Sequence, residues 1–173
     1  MPVTFPRHLE DTPAHAWYPG GADAPYGEGL YVAYRHFDRA PVAPMFPFGF
    51  GVTCNRLTYG DLDAPGQARA GDTVEMRFTL KNVGQRPGRE TAQLYVRPRG
   101  PSVDRPVKEL KGFAKVALAP GESKQVNLIL DASAFSFWSL DQGRWVAKPG
   151  AYELLIGGKA ADIELQATVR LEE

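Results

Sequence analysis

Apolar and polar residues alternate regularly only after Asp72. In TVEMRFTLKN, Val74, Met76, Phe78 and Leu80 fall on one side of an extended chain, and Glu75, Arg77, Thr79 and Lys81 on the other. Side chains of a strand point alternately to its two faces, so this stretch reads as a strand with one buried face. IELQATVRL repeats the device with Ile163, Leu165, Ala167, Val169 and Leu171. Shorter runs at 90–97, 110–118, 123–131 and 151–158 read as further strands, and CNRLTYG (54–60) as a first one. Asn82-Val83-Gly84, Pro87-Gly88, Pro120-Gly121, Asp141-Gln142-Gly143 and Pro149-Gly150 separate them, through positive φ at glycine or preset φ at proline. About seven short strands without a period-3.6 stretch predict a mainly β fold, an immunoglobulin or fibronectin III-like antiparallel β-sandwich.

Two connections stand out. FSFWSLDQGRWV (135–146) reads as a hairpin around Asp141-Gln142-Gly143, stabilised by aromatic cross-strand pairing. PRGPSVDRPVKE (98–109) carries three prolines, which cannot donate to a central ladder, and is expected to be an exposed loop outside the sheets.

The first fifty residues lack the alternation. Prolines and glycines there are too closely spaced for long elements, and only GLYVAYRHF (29–37) is expected to form a short strand. Residues 26–51 nevertheless hold seven aromatic rings. At about 150–250 Å² each, open rings would expose on the order of 1,000 Å², well above the roughly 300–600 Å² of a typical monomer's largest apolar patch. Some can lie on the sandwich; the remainder imply a partner surface, in the same chain or another.

Composition narrows the function classes. A length of 173 residues suits one domain with an appendage, and 18 glycines and 15 prolines suit a turn-rich fold. Twenty basic residues balance twenty acidic ones, so no net field gathers nucleic acid or anionic lipid, and neither is an expected partner. No apolar run approaches the roughly 20 residues of a membrane helix. Residues 1–6 show neither a basic region nor an apolar stretch like a secretory leader, so a soluble chain is expected, with no signal peptide and no compartment indicated. Cys54 is the only cysteine, which excludes an internal disulfide and a multi-cysteine metal site.

Candidate chemistry is sparse. His8, His15 and His36 lack zinc-ligand spacing, so metal and cofactor sites are not expected. Ser123, Ser133, Ser136 and Ser139 lie in sandwich strands or turns without a G-x-S-x-G elbow, and Gly49-Phe50-Gly51 lacks the context of a phosphate loop. Glu28, Asp38 and Asp61 are the carboxylates near aromatic residues that a glycosidase pair would need. Arg35 and Arg39 offer Asp38 a plain ion pair instead. Trp17, Trp138 and Trp145 are expected to serve core or rim packing, with stacking on sugar rings the alternative.

PVTFPRHLEDTPAH (2–15), YGEGLYVAYRHFD (26–38), PMFPFGFG (44–51), RPVKELKGFAKVALAPGES (105–123), FSFWSLDQGRWVAKPGAYELLIG (135–157) and DIELQATVRL (162–171) together carry a family resemblance. The chain resembles the C-terminal end of β-glucosidase-type enzymes of glycoside hydrolase family 3. The resemblance implies a fibronectin III-like domain over 52–173. Residues 1–51 would be the end of a preceding α/β sandwich domain and its linker, with Tyr31, Tyr34, Phe37, Phe46 and Phe48 packed along the junction. It places the family's nucleophilic aspartate in an N-terminal barrel and its acid/base glutamate earlier in the α/β domain, so no residue here inherits either role. A truncated frame, a split gene or a fragment is implied. Ala33 stands where relatives often have glycine, and Val52–Asn55 also depart from the family's pattern.

The expected function is therefore that of an accessory domain of a β-glucosidase-like hydrolase. It would be inactive alone, brace the catalytic domains and border the sugar cleft. The alternative is an independent carbohydrate- or protein-binding module using Trp17, Trp138 or Trp145. A third reading is a split enzyme that reassociates through residues 1–51.

Overall fold

The computed structural model describes residues 1–18, 22–51, 56–100 and 103–173. Ten strands follow one another in the described chain: β1 (Leu57–Asp63), β2 (Gln67–Arg69), β3 (Val74–Asn82), β4 (Gly88–Pro98), β5 (Glu109–Leu118), β6 (Ser123–Leu130), β7 (Ser136–Ser139), β8 (Arg144–Ala147), β9 (Gly150–Gly157) and β10 (Leu165–Glu172). A three-stranded sheet, ordered β1-β3-β6, faces a five-stranded sheet, ordered β2-β10-β9-β4-β5, while β7 and β8 form a separate hairpin. The predicted sandwich is thus observed, with additional short strands. The first strand starts later than expected, at Leu57, and Cys54 lies outside the described residues.

The alternating strands build the core as their pattern dictates. Val74, Met76, Phe78 and Leu80 of β3 and Val126, Leu128 and Leu130 of β6 point inward from one sheet. Ala92, Leu94 and Val96 of β4, Leu154 and Ile156 of β9, and Val169 and Leu171 of β10 meet them from the other. Burying a side chain of this size stabilises the fold by about 1.5–3 kcal/mol, which makes the interlayer region its principal support.

β4 and β9 differ in being buried on both faces. Their outward residues Gln93, Tyr95, Glu153 and Leu155 are as inaccessible as the inward ones. The cross-strand register places Tyr95 opposite Leu155 and Arg97 opposite Glu153. The cover is the N-terminal segment: Tyr34 and Phe48 pack on Tyr95, Leu155 and Ala160 in a second apolar cluster.

That segment is folded back on itself. Phe5 and Phe46 form an antiparallel bridge, the Gly49 amide donates to the Met1 carbonyl (2.9 Å), and the Met1 ammonium donates to the Phe50 carbonyl (2.7 Å). The strand expected over 29–37 is not formed. Residues Tyr34–Phe37 make one α-helical turn, α1, extended by bonds from the Asp38 amide to the Tyr34 carbonyl and from the Ala40 amide to the His36 carbonyl. The alternation in GLYVAYRHF lacks a neighbouring strand, and the turn instead aims Tyr34 at the sheet.

The expectation of an exposed loop at 98–109 also needs correction. Arg105, Pro106 and Lys108 are buried, because this connection runs beneath α1. Its two ends also belong to the sheets, Pro98 closing β4 opposite Tyr152 and Glu109 opening β5.

Candidate functional site

Two places concentrate polar chemistry. The first is the seam between α1 and the connection from β4 to β5. Lys108, 7% exposed, bonds Asp38. Its ammonium lies 5.6 Å from the centre of the Tyr95 ring and 6.0 Å from that of Tyr34, within cation–π reach. The second carboxylate oxygen of Asp38 is buried without a partner. Burial raises the pKa of Asp38, against the opposing hydrogen bond and charge of Lys108.

Asp38 therefore does not pair with Arg35 or Arg39. Arg35 reaches Glu109 (3.5 Å) and Arg39 reaches Asp104 (3.7 Å). Glu109 also accepts from Arg105 (2.7 Å) and lies 3.7 Å from Lys111, whose pKa is lowered by burial despite the nearby Glu109 charge. Asp104 accepts from the Tyr31 hydroxyl, and that bond together with burial raises the tyrosine's pKa. Arg39 covers the Tyr31 ring at 4.1 Å. Three charged residues of α1 and its C-terminal end are thus matched one for one by the facing connection.

Sequence reasoning found Asp38 and missed Lys108, Arg105 and Glu109. Arg35, Asp38 and Arg39 stand three and four residues apart, the spacing of neighbours on a helical surface. DRPVKEL (104–110) has the complementary charges. That match was the available signal.

The other expected carboxylates are elsewhere. Asp61 sits at a bulge of β1 with φ 52°, in the opposite sheet, so it shares no cleft with Asp38. Glu28 lies in a turn whose carbonyl accepts from the Tyr31 amide (3.0 Å). The histidines are likewise dispersed. His8 precedes a 3-10 turn, His15 begins another, and His36 Nε2 lies 3.0 Å from the Asp11 carbonyl oxygen. Among the described residues no group of three or more histidine, cysteine, aspartate or glutamate side chains converges as metal ligands would. Ser133 serves the turn at Asp131, Ser136 Oγ donates to the Ala132 carbonyl (3.1 Å), and Ser139 Oγ accepts from the Gln142 amide (3.3 Å). Ser123 opens β6 at the surface.

A groove of about 550 Å³ is the second place. The β7–β8 hairpin forms one wall through Trp138, Leu140 and Trp145, while Leu30, Arg35 and residues 103–109 form the other. Trp138 and Trp145 are the cross-strand pair expected from the sequence, edge to face at 5.8 Å. Trp17 is not part of it, lying instead against Gly27, where a Cβ would collide with the indole.

The five rings expected at the junction are divided. Tyr34 and Phe48 lie on the sandwich, Phe46 contacts Phe5 and Phe50, and Phe37 contacts His36. Tyr31 lies under Arg39. Tyr26 stays open at 87%.

Comparisons with known proteins agree with this architecture. A family model described as Fibronectin type III-like domain matches residues 90–160. Thermostable beta-glucosidase B of Acetivibrio thermocellus is 39% identical over 170 residues, covering 97% of this chain and 22% of that protein. A beta-glucosidase of Rhizobium radiobacter is 36% identical over 99% of this chain and 22% of its own length. Among solved structures, the GH3 beta-glucosidase of Bifidobacterium adolescentis superposes with a TM-score of 0.90 at 34% identity, over 98% of this chain and 25% of that one. Beta-glucosidase 3B of Thermotoga neapolitana in complex with glucose gives 0.88 at 33%, over 99% and 24%. The chain spans about a fifth of the length of the curated relatives it matches. No helix among the described residues is long and apolar enough to cross a membrane. In sequence and in fold, the chain corresponds to the part of glycoside hydrolase family 3 β-glucosidases that carries their fibronectin type III-like domain.

Proposed function

We propose that the chain is a non-catalytic accessory module of a β-glucosidase-type enzyme. Residues 52–173 serve as the brace, and residues 1–51 as the end of the preceding domain and its linker. The observation that carries this reading is the two-sidedness of the N-terminal segment. Its inner side is pinned to the sandwich by Tyr34, Phe48 and the Asp38–Lys108 pair. Its outer side leaves Leu9, Tyr18, Tyr26 and Met45 exposed.

Apolar side chains presented on so firmly anchored a segment suit a fixed protein neighbour. Tyr31, Tyr34, Phe37, Phe46 and Phe48 then form the inner layer of that junction, and the sandwich borders the sugar cleft of the assembled enzyme. The ion pairs of Asp38 and Glu109 leave these carboxylates poorly placed for acid–base work, in keeping with a chain inactive alone.

Aryl β-glucoside assays test the first half: the isolated chain gives background rates, and turnover abolished by Asp38→Asn or Glu28→Gln would overturn the reading. For the second half, the chain is added to the Bifidobacterium adolescentis enzyme lacking the corresponding segment. A raised melting temperature is expected, and no complex at micromolar concentrations would refute bracing.

A further inference from the structure

We propose that the groove between the β7–β8 hairpin and residues 103–109 binds a short neutral oligosaccharide. This does not rest on the accessory reading, since both described walls of the groove come from this chain. Its volume of about 550 Å³ falls in the range of about 300–1,000 Å³ that ligand pockets span.

The walls show which ligand chemistry fits. Trp138 and Trp145 are 50% and 65% exposed, pair edge to face, and both line the groove. The electron-rich face of an indole attracts the C–H groups on the apolar side of a pyranose ring. Arg35, Asp104, Arg105 and Glu109 offer donors and acceptors opposite the indoles.

Charges of both signs line the groove, Arg35 and Arg105 against Asp104, Glu109 and Asp141, and most are engaged in ion pairs: Arg35 and Arg105 share Glu109, and Arg39 faces Asp104. A charged ligand would have to break such pairs, whereas hydroxyl groups can bond to them in place. Arg105 adds a second observation: it is 9% exposed, its Nε is buried without a partner, and its guanidinium carbon lies 5.7 Å from the Phe137 ring centre. Its bond to Glu109 (2.7 Å) fixes the planar fork at the groove wall. Protein interfaces are instead depleted of charge at their centres, so this mixed lining favours a sugar over a protein partner.

Fluorescence titration with cellotriose tests the proposal, in a Trp17→Phe background so that only Trp138 and Trp145 report. A saturable change is expected, weakened at least about tenfold by Trp145→Ala. Melting curves verify that the variant folds. If it does not, cellotriose-induced NMR shifts in the unaltered chain should be confined to Leu30, Arg35 and residues 103–109 and 136–147. The proposal is overturned by no saturation up to about 10 mM, by equal affinity in folded Trp145→Ala, or by shifts elsewhere. Self-association that Trp145→Ala abolishes, without a cellotriose response, overturns it in favour of a second copy.

Discussion

Replacing Lys108 by methionine is the sharpest test of how the N-terminal segment is held. Methionine keeps an apolar stem over Tyr34 and Tyr95 and removes the cation, so Asp38 loses its ion pair while its other oxygen already lacks a partner. Breaking a buried pair from one side costs about 3–5 kcal/mol when the remaining charge stays buried. Asp38 escapes part of this by taking up a proton, since burial already raises its pKa. A loss of about 2–3 kcal/mol at neutral pH is therefore expected.

The pH dependence follows from the direction of that shift. A carboxyl whose folded pKa lies above its unfolded value is penalised in its charged form, so the penalty is full above the folded pKa and fades as pH falls toward the unfolded one. The deficit of Lys108→Met relative to the parent should be largest at neutral pH and shrink on acidification. Two amides report locally: Leu110 N donates to the Tyr34 hydroxyl (2.9 Å) and Ala160 N to the Phe48 carbonyl (2.9 Å). Opening made easier by about 2–3 kcal/mol speeds their hydrogen exchange about 30- to 150-fold, provided they exchange by release of this segment. Adding Asp38→Asn removes the stranded charge and should recover most of the loss. A deficit below about 1 kcal/mol, or one independent of pH, would refute the claim that this pair is desolvated and pins the segment.

Three further predictions use the same physics. Gly49 has φ 86°, and a Cβ there would overlap the Gln93 amide and crowd the Gly158 carbonyl; Gly49→Ala should cost about 2–3 kcal/mol and expose residues 1–50 to limited proteolysis before the sandwich melts. Ala33 adopts φ 50°, ψ −130° at the start of α1, a conformation that strains a Cβ. Ala33→Gly should therefore stabilise by about 1 kcal/mol in denaturant titrations, despite the greater entropy of the unfolded chain. Glu153 is buried, which opposes its ionisation, but hydrogen bonds from Arg97 and Arg99 prevail and lower its pKa. Its contribution is complete above the ordinary carboxylate range and lost as pH falls through the depressed pKa, so Glu153→Gln should cost about 1–2 kcal/mol at neutral pH and flatten the acid limb of the stability–pH curve.

What the sequence determined by itself is the sandwich. Val74, Met76, Phe78 and Leu80 alternate because one face of β3 is buried and the other wet, and period two records that geometry residue by residue. The Trp138–Trp145 hairpin was legible for a related reason, since a turn and its flanking pair are neighbours in the chain. The packing on the outer face of β4 and β9 was not. Tyr95 and Leu155 break the alternation because Tyr34 and Phe48, roughly 60 and 110 positions away in the chain, cover them, and local patterning carries no trace of so distant a partner. Lys108 likewise reads as one more solvated cation in a proline-rich connection until α1 brings Asp38 against it. Burial, and with it the protonation energetics of Asp38, belongs to the contact between two segments, and only the tertiary structure decides which segments meet.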